Sequence, residues 1–250
     1  MRTIDLNCDL GEIPLHIEHG IDEAIMDFVT SVNVACGGHA GDENTMRATV
    51  EAAHRRGLAI GAHPSYPDRV GFGRQELQME ADELVDAILA QLLALSRVVR
   101  ACGATLRHVK PHGALYHVAA RDPEVAEAVA AACARFGQDV ILVGLAGSPM
   151  LTVCHAAGFR VAGEAFVDRR YEADGTLRSR QQEGALLTPA EAEIQALRLV
   201  ERTEVVTHGG QVVPMSAQTL CVHGDGPAAV EVASTVRRAL TSVGVAVRPL

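Results

Sequence analysis

The stretch Arg107-His108-Val109-Lys110-Pro111-His112-Gly113-Ala114-Leu115-Tyr116 sets one ammonium group between two imidazoles. Lys110 is the only lysine among 22 basic residues, the other 21 being arginine. An ammonium is a compact point charge whose pKa responds to burial, whereas guanidinium is a planar fork that stays charged. A site that needs the first cannot use the second. Strand alternation puts His108, Lys110 and His112 on one face and Val109 on the other, provided the pleat runs on through Pro111. A lone surface lysine is the plain alternative, and the apolar, Pro and Gly neighbours weigh against it.

Other residues able to do chemistry fall at or just past the ends of short strand-like runs. Asp5, Asn7 and Asp9 alternate with Ile4, Leu6 and Cys8; Asn33 lies opposite Val32 and Val34; His39, His63, Glu164, Asp168, Arg169, His223 and Asp225 complete the set. Carboxylates, imidazoles, one lysine and Arg169 suit the activation of water against a carbonyl or amide, with stabilisation of the oxyanion that forms. The catalytic candidates are Lys110, His112, Asp9, Glu164, Asp168 and His223, with Lys110 as electrophile and His112 or Asp9 as proton carrier. Candidates for holding substrate are Asn7, Asn33, His39, His63, Arg169 and Asp225. Schiff-base chemistry at Lys110 is the competing use. Asp9, His39 and His63 offer a carboxylate and two imidazoles to a metal, and whether a metal is bound stays open.

Several chemistries lack their motifs. There is no H-E-x-x-H and no G-x-S-x-G, no G-x-G-x-x-G follows a strand, and the single lysine, between Val109 and Pro111, cannot belong to a Walker A loop. A formal charge of −9 argues against a polyanion-binding surface. No apolar run approaches the ~20 residues that span a bilayer, and Thr3 to Leu10 alternates like a strand rather than a signal core. A soluble, cytoplasmic protein is expected. The six cysteines are scattered with no C-x-x-C and are expected as reduced thiols.

These residues need elements to position them. Strands are predicted at Ile4–Cys8, Ser31–Cys36, Leu58–Ala62, the Lys110 stretch, Val140–Gly144, Arg160–Phe166 and Thr219–Val222. Helices are predicted from Asp42 to Arg56, Glu80 to Cys102, Asp122 onward, Met150 to Ala157, Thr188 to Glu201 and Pro227 to Ser242. Caps at Asp42, Asp122 and Thr188 and stops at Gly57 and Gly103 support them. A small hairpin turning on Gly209-Gly210 sits at Glu204–Val213. About seven βα units within 250 residues fit a single-domain (β/α) barrel, with a doubly wound open sheet as runner-up. The barrel gathers so many strand ends at one mouth; an open sheet does not.

Six segments in order, Asp5–Glu12, Asn33–Asp42, Gly61–Asp68, Val109–Tyr116, Glu164–Tyr171 and Cys221–Asp225, closely resemble the LamB/YcsF family, collinear from residue 3 to about 240. Val167 and His117 depart from that pattern without touching the ionisable set. The resemblance implies a glycoside hydrolase/deacetylase-like (β/α) barrel with an incomplete or distorted strand set. It also implies ATP-dependent opening of the lactam 5-oxo-L-proline to L-glutamate, with ATP, accompanied by Mg, as co-substrate and 5-oxoprolinase subunits B and C as partners. Lacking a P-loop, the chain either binds ATP in another mode or leaves it to those partners. A self-sufficient metal-dependent amidase or deacetylase, and a scaffold contacting its partners through the helix at Glu80–Arg100, are the alternatives.

Overall fold

The computed structural model describes residues 2–137, 139–226 and 228–250. Its first strand, β1 (Thr3–Leu10), is buried on both faces: Ile4, Leu6, Cys8 and Leu10 form one row, Asp5, Asn7 and Asp9 the other. Burial of both rows is what a barrel strand demands, since the apolar row must meet helices and the polar row the axis.

Short helices α1 (Pro14–Glu18) and α2 (Ile21–Met26) lead to β2 (Ser31–Ala35). α3 (Glu43–Arg55) starts on a capping box in which the Asp42 carboxylate accepts from the Asn44 and Thr45 amides. β3 (Ala59–His63) and the long α4 (Ala81–Ala101) follow, then β4 (Leu106–Val109) and α5 (Gly113–Arg121). α6 (Pro123–Phe136) has Asp122 as its cap, proline in its first turn and a left-handed Gly137 at its end. β5 (Ile141–Leu145), α7 (Pro149–Ala156) and β6 (Arg160–Phe166) complete the middle of the chain. After α8 (Pro189–Arg202), with its Thr188–Glu191 capping box, come the β7 (Glu204–Val206) and β8 (Val212–Pro214) hairpin, β9 (Thr219–His223), α9 (Ala229–Ser242) and β10 (Ala246–Val247).

Strands β1-β2-β3-β4-β5-β6-β9 are parallel neighbours in that order, and β9 returns to β1, closing a ring of seven. This is the predicted (β/α) barrel, and the open sheet is excluded by its closure. β10 extends the start of β1, pairing Thr3 with Ala246. Apolar side chains pack between ring and helices, Leu92, Leu95, Val109 and Leu220 among them. The axis carries the polar rows of β1, β2 and β4 with Glu164, and a small separate apolar cluster of Ile141, Val143 and Ala162 from β5 and β6.

The ladder between β3 and β4 outlasts the strand. Lys110 N–H donates to Ala62 O at 2.9 Å and His112 N–H to Pro64 O at 2.8 Å. Pro111, with no N–H to give, falls between them, so the pleat does pass through the proline.

Some boundaries and elements differ from expectation. α1, α2, α5 and β10 were not predicted. The hairpin does not turn on two residues: Val206 faces Val212, and the connection runs from Thr207 to Gln211, whose carbonyl takes the Thr207 N–H at 2.8 Å. The predicted helix start at Pro227 lies outside the described residues.

Candidate functional site

Lys110 lies at the centre of the barrel's upper layer, 1% exposed. Its ammonium donates to Asp9 Oδ1 at 2.8 Å and meets Glu164 Oε1 at 2.9 Å and Cys221 Sγ at 3.1 Å. Burial alone would pull the lysine pKa down; the acidic neighbours outweigh it and hold it well above the usual lysine value. Burial pushes the Cys221 thiol up, so it stands neutral and the two carboxylates carry the attraction. An amine held protonated in this way is a poor nucleophile, which disfavours Schiff-base chemistry.

Beneath it, amides and imidazole fix the carboxylates. Asn33 Nδ2 donates to Asn7 Oδ1 at 2.7 Å and Asp9 Oδ1 at 2.8 Å, and Asn7 Nδ2 donates to Glu164 Oε1 at 3.0 Å. His108 Nε2–H donates to Asn33 Oδ1 at 2.7 Å, and burial drops its pKa to about 3. Gly61 makes room for that ring, since a Cβ there would lie 2.1 Å from His108 Nε2. Burial opposes ionisation of Asp9, but His63 and Lys110 outweigh it and keep its pKa well below the usual carboxylate range.

Beside Lys110 stand three histidines and Glu12. His63 Nε2 is 3.0 Å from His112 Nδ1 and 3.4 Å from Asp9 Oδ2. His39 stacks on His112, centroids 3.6 Å apart, and its Nε2–H donates to Glu12 Oε1 at 2.9 Å. Above them opens a cavity of about 1130 Å³, lined by Asp9, Glu12, His63, Lys110, His112 and His223 on one side. Arg74, Arg121, Arg169, Arg178 and Arg180 line other parts of it. His223 Nδ1–H donates to Asp168 at 3.0 Å, leaving Nε2 as the ring's acceptor. Burial works against the Asp168 charge, and His223 outweighs it to hold the pKa below the usual range. Arg169 is 4% exposed, and its Nε is buried without a partner.

Of the predicted residues, Asp9, His63, Lys110, His112, Arg169, His223 and Asp225 line the cavity. Asn7, Asn33 and His39, expected to hold substrate, lie behind its lining because their amides and ring are spent on Asp9, Glu164 and Glu12. Glu164 and Asp168 also lie outside the lining, against Lys110 and His223. Asp225 lines the wall, bound between Arg74 Nη2 at 2.7 Å and Arg180 Nη1 at 2.6 Å. The expected metal set of Asp9, His39 and His63 does not converge, since His39 is turned to Glu12. Glu12, Arg74 and Arg180 were not singled out in the sequence, although Glu12 closes the first family-like segment.

The LamB/YcsF family profile matches residues 4–250. A protein of Methylococcus capsulatus, named as the A-subunit of 5-oxoprolinase, is 51% identical over 250 residues, covering 100% of this chain and 96% of that protein. Its counterpart by name from Chloroflexus aurantiacus is 49% identical over 249 residues, covering 99% of this chain and 98% of the relative. The crystal structure of the lactam utilization protein from Thermus thermophilus superposes with a TM-score of 0.91 at 42% identity, covering 99% of this chain and 100% of that one.

Proposed function

This chain belongs to the LamB/YcsF family, and we propose from that premise that it is the lactam-opening subunit of an ATP-dependent 5-oxoprolinase. It converts 5-oxo-L-proline to L-glutamate as ATP goes to ADP and phosphate. The observation that carries the reading is Lys110, an ammonium buried at the cavity floor and kept charged by Asp9 and Glu164. A lactam carbonyl is a weak electrophile, and a fixed positive charge beside its oxygen offsets the negative charge that grows there. His223, oriented by Asp168, takes a proton from the attacking water. The C–N bond then breaks, and the ring nitrogen takes up a proton and leaves as the amine of glutamate. Arg169 receives the substrate carboxylate with its unpartnered Nε.

ATP, with Mg, supplies the driving force: its γ-phosphoryl passes to the lactam oxygen as ADP leaves. Cleavage of the C–N bond after water attack leaves an acyl phosphate, and a second water frees phosphate and the new carboxylate. We assign the handling of ATP to an assembly with subunits B and C. Two observations support this: the chain has no Walker A motif, and a cavity of about 1130 Å³ exceeds what a five-membered lactam fills. The assembly is placed in the cytoplasm, in keeping with six free cysteines. No described helix is long and apolar enough to cross a membrane.

The test is reconstitution of this chain with subunits B and C, measuring glutamate and phosphate released from 5-oxoproline and ATP. Omission of the chain should abolish glutamate formation. His223→Gln should lower kcat by ~10²–10⁴ with KM little changed, the contribution typical of a general base. Full activity in His223→Gln would remove that role, and glutamate formation without the chain would sink the assignment.

A further inference from the structure

Beside Lys110 three lone pairs converge, and the backbone removes the protons that would separate them. A carbonyl oxygen can only accept, so the 2.8 Å contact between His63 Nδ1 and Lys110 O places that ring's proton on Nδ1. The Phe72 carbonyl, 2.9 Å from His112 Nε2, does the same at the opposite nitrogen of the second ring. Once neither ring carries a second proton, the two turn bare nitrogens, His63 Nε2 and His112 Nδ1, toward each other at 3.0 Å, with Asp9 Oδ2 3.4 Å from the first. Glu12 Oε1, another acceptor, lies 3.2 Å from His112 Nδ1 and 3.8 Å from His63 Nε2.

A cation satisfies all three at once. Ligands bound tetrahedrally at ~2.0–2.1 Å stand ~3.3 Å from one another, within the span of these three separations. The surroundings also have the pattern that steadies metal ligands, with each imidazole N–H given to a backbone carbonyl and the carboxylate gripped by the His39 N–H. Gly73 lets its loop press on this group, for a Cβ there would come within 2.8 Å of both His112 Cδ2 and His39 Cβ. Glu12, His63 and His112 all line the cavity.

We propose that Glu12, His63 and His112 form a binding site for one divalent transition-metal ion of the Zn²⁺ or Co²⁺ class, with a coordination position open to the cavity. Two imidazoles and one carboxylate favour such ions over Mg²⁺ and Ca²⁺, which take oxygen ligands. The site differs from the Asp9, His39 and His63 set expected from the sequence: the Asp9 Oδ1 atom is engaged by Lys110 and Asn33, and Glu12 takes the carboxylate's place. The ligand geometry does not depend on which amide the cavity accepts, so the metal and the substrate are tested separately.

The full chain, stripped with a chelator and shown to remain folded by circular dichroism, is titrated with CoCl₂ and followed in the visible, then with ZnCl₂ by calorimetry. The expected result is one equivalent of Co²⁺ giving visible bands of an imidazole-bound, low-coordinate ion, displaced by one equivalent of Zn²⁺. Glu12→Gln and His112→Ala should each weaken uptake at least ~10-fold, whereas His155→Ala, on the exposed side of α7, should leave it unchanged. Absence of saturable uptake by the folded wild-type chain would overturn the site and leave a shared proton to hold the three lone pairs together. Variants of Glu12 and His112 that bind as tightly as wild type would overturn it too. The wild-type titration decides the matter even where a variant does not fold.

Discussion

At the residue scale, Lys110 is expensive to remove because its partners cannot leave. Asp9 and Glu164 face it at 2.8 Å and 2.9 Å from inside a closed ring of strands. Deleting the ammonium leaves two carboxylates buried together without compensation, and breaking a buried ion pair in this way costs ~3–5 kcal/mol. Lys110→Ala is therefore expected to lose stability on that order in urea unfolding at neutral pH, as well as glutamate formation in the reconstituted enzyme. Lys110→Arg is expected not to restore either, since a planar fork does not fit where a 1% exposed point charge sits. Wild-type stability in Lys110→Ala, or activity in Lys110→Arg, would contradict that role for the ammonium. This residue is legible from composition alone, because a chain that otherwise uses arginine departs from it once. Its carboxylate partners, Asp9 and Glu164, are legible too, as acids that strand alternation puts on barrel strands facing it.

At the element scale, what could be read followed the period, and what was missed broke it. Alternation along β1 found Asp5, Asn7 and Asp9, but Gly11 turns the chain with a φ of +76° and delivers Glu12 out of phase. Arg74 and Arg180 come from loops with no period at all. Helix α5 was overlooked because it opens on His112 without a side-chain cap and on Gly113 at a φ of +55°. The loop between β3 and α4 matters in the same aperiodic way, since Gly73, at a φ of +65°, seats it on the histidines. Gly73→Ala adds a Cβ where φ is positive and the histidine side chains are already close, and is expected to cost ~1–3 kcal/mol. It should lower the reconstituted rate by a larger factor than a control of matched instability. Asp42→Ala supplies that control: it removes the α3 cap, and Asp42 does not line the cavity. Thermal unfolding and steady-state rates on both variants check this, and equal rates at equal stability would reduce the loop to packing.

For the whole molecule, the barrel's inward polar rows make folding depend on pH. Barrel interiors of this class are commonly packed with branched apolar side chains. Here Asp5, Asn7, Asn33, His108 and Glu164 occupy the axis beside a small inward apolar cluster of Ile141, Val143 and Ala162, while the main apolar rows face the helices. Such an interior holds only while its hydrogen bonds are complete. His108 shows the direction of the dependence. Its pKa falls from 6.5 to about 3 on folding because burial penalises the imidazolium. Between those limits the unfolded chain binds a proton that the native chain refuses, so stability drops as pH falls below about 6.5. One such group contributes a slope of up to ~1.4 kcal/mol per pH unit. Asp5 acts the opposite way, because burial raises its pKa above the ordinary 3.8 and the native state gains a proton first on acidification. That offset begins at lower pH than the histidine effect, near the carboxylate range. Burial lowers His39 and His117 likewise, to about 4, while Asp9 raises His63 against its burial. Three histidines outweigh one, so urea unfolding of the wild-type chain at pH 7, 6 and 5 should show stability declining toward acid. His108→Gln, whose amide N–H can still reach Asn33, should flatten that decline by about one proton's worth. An unchanged slope in His108→Gln would mean that the ring titrates in the native state, and that the barrel axis tolerates a second cation beside Lys110.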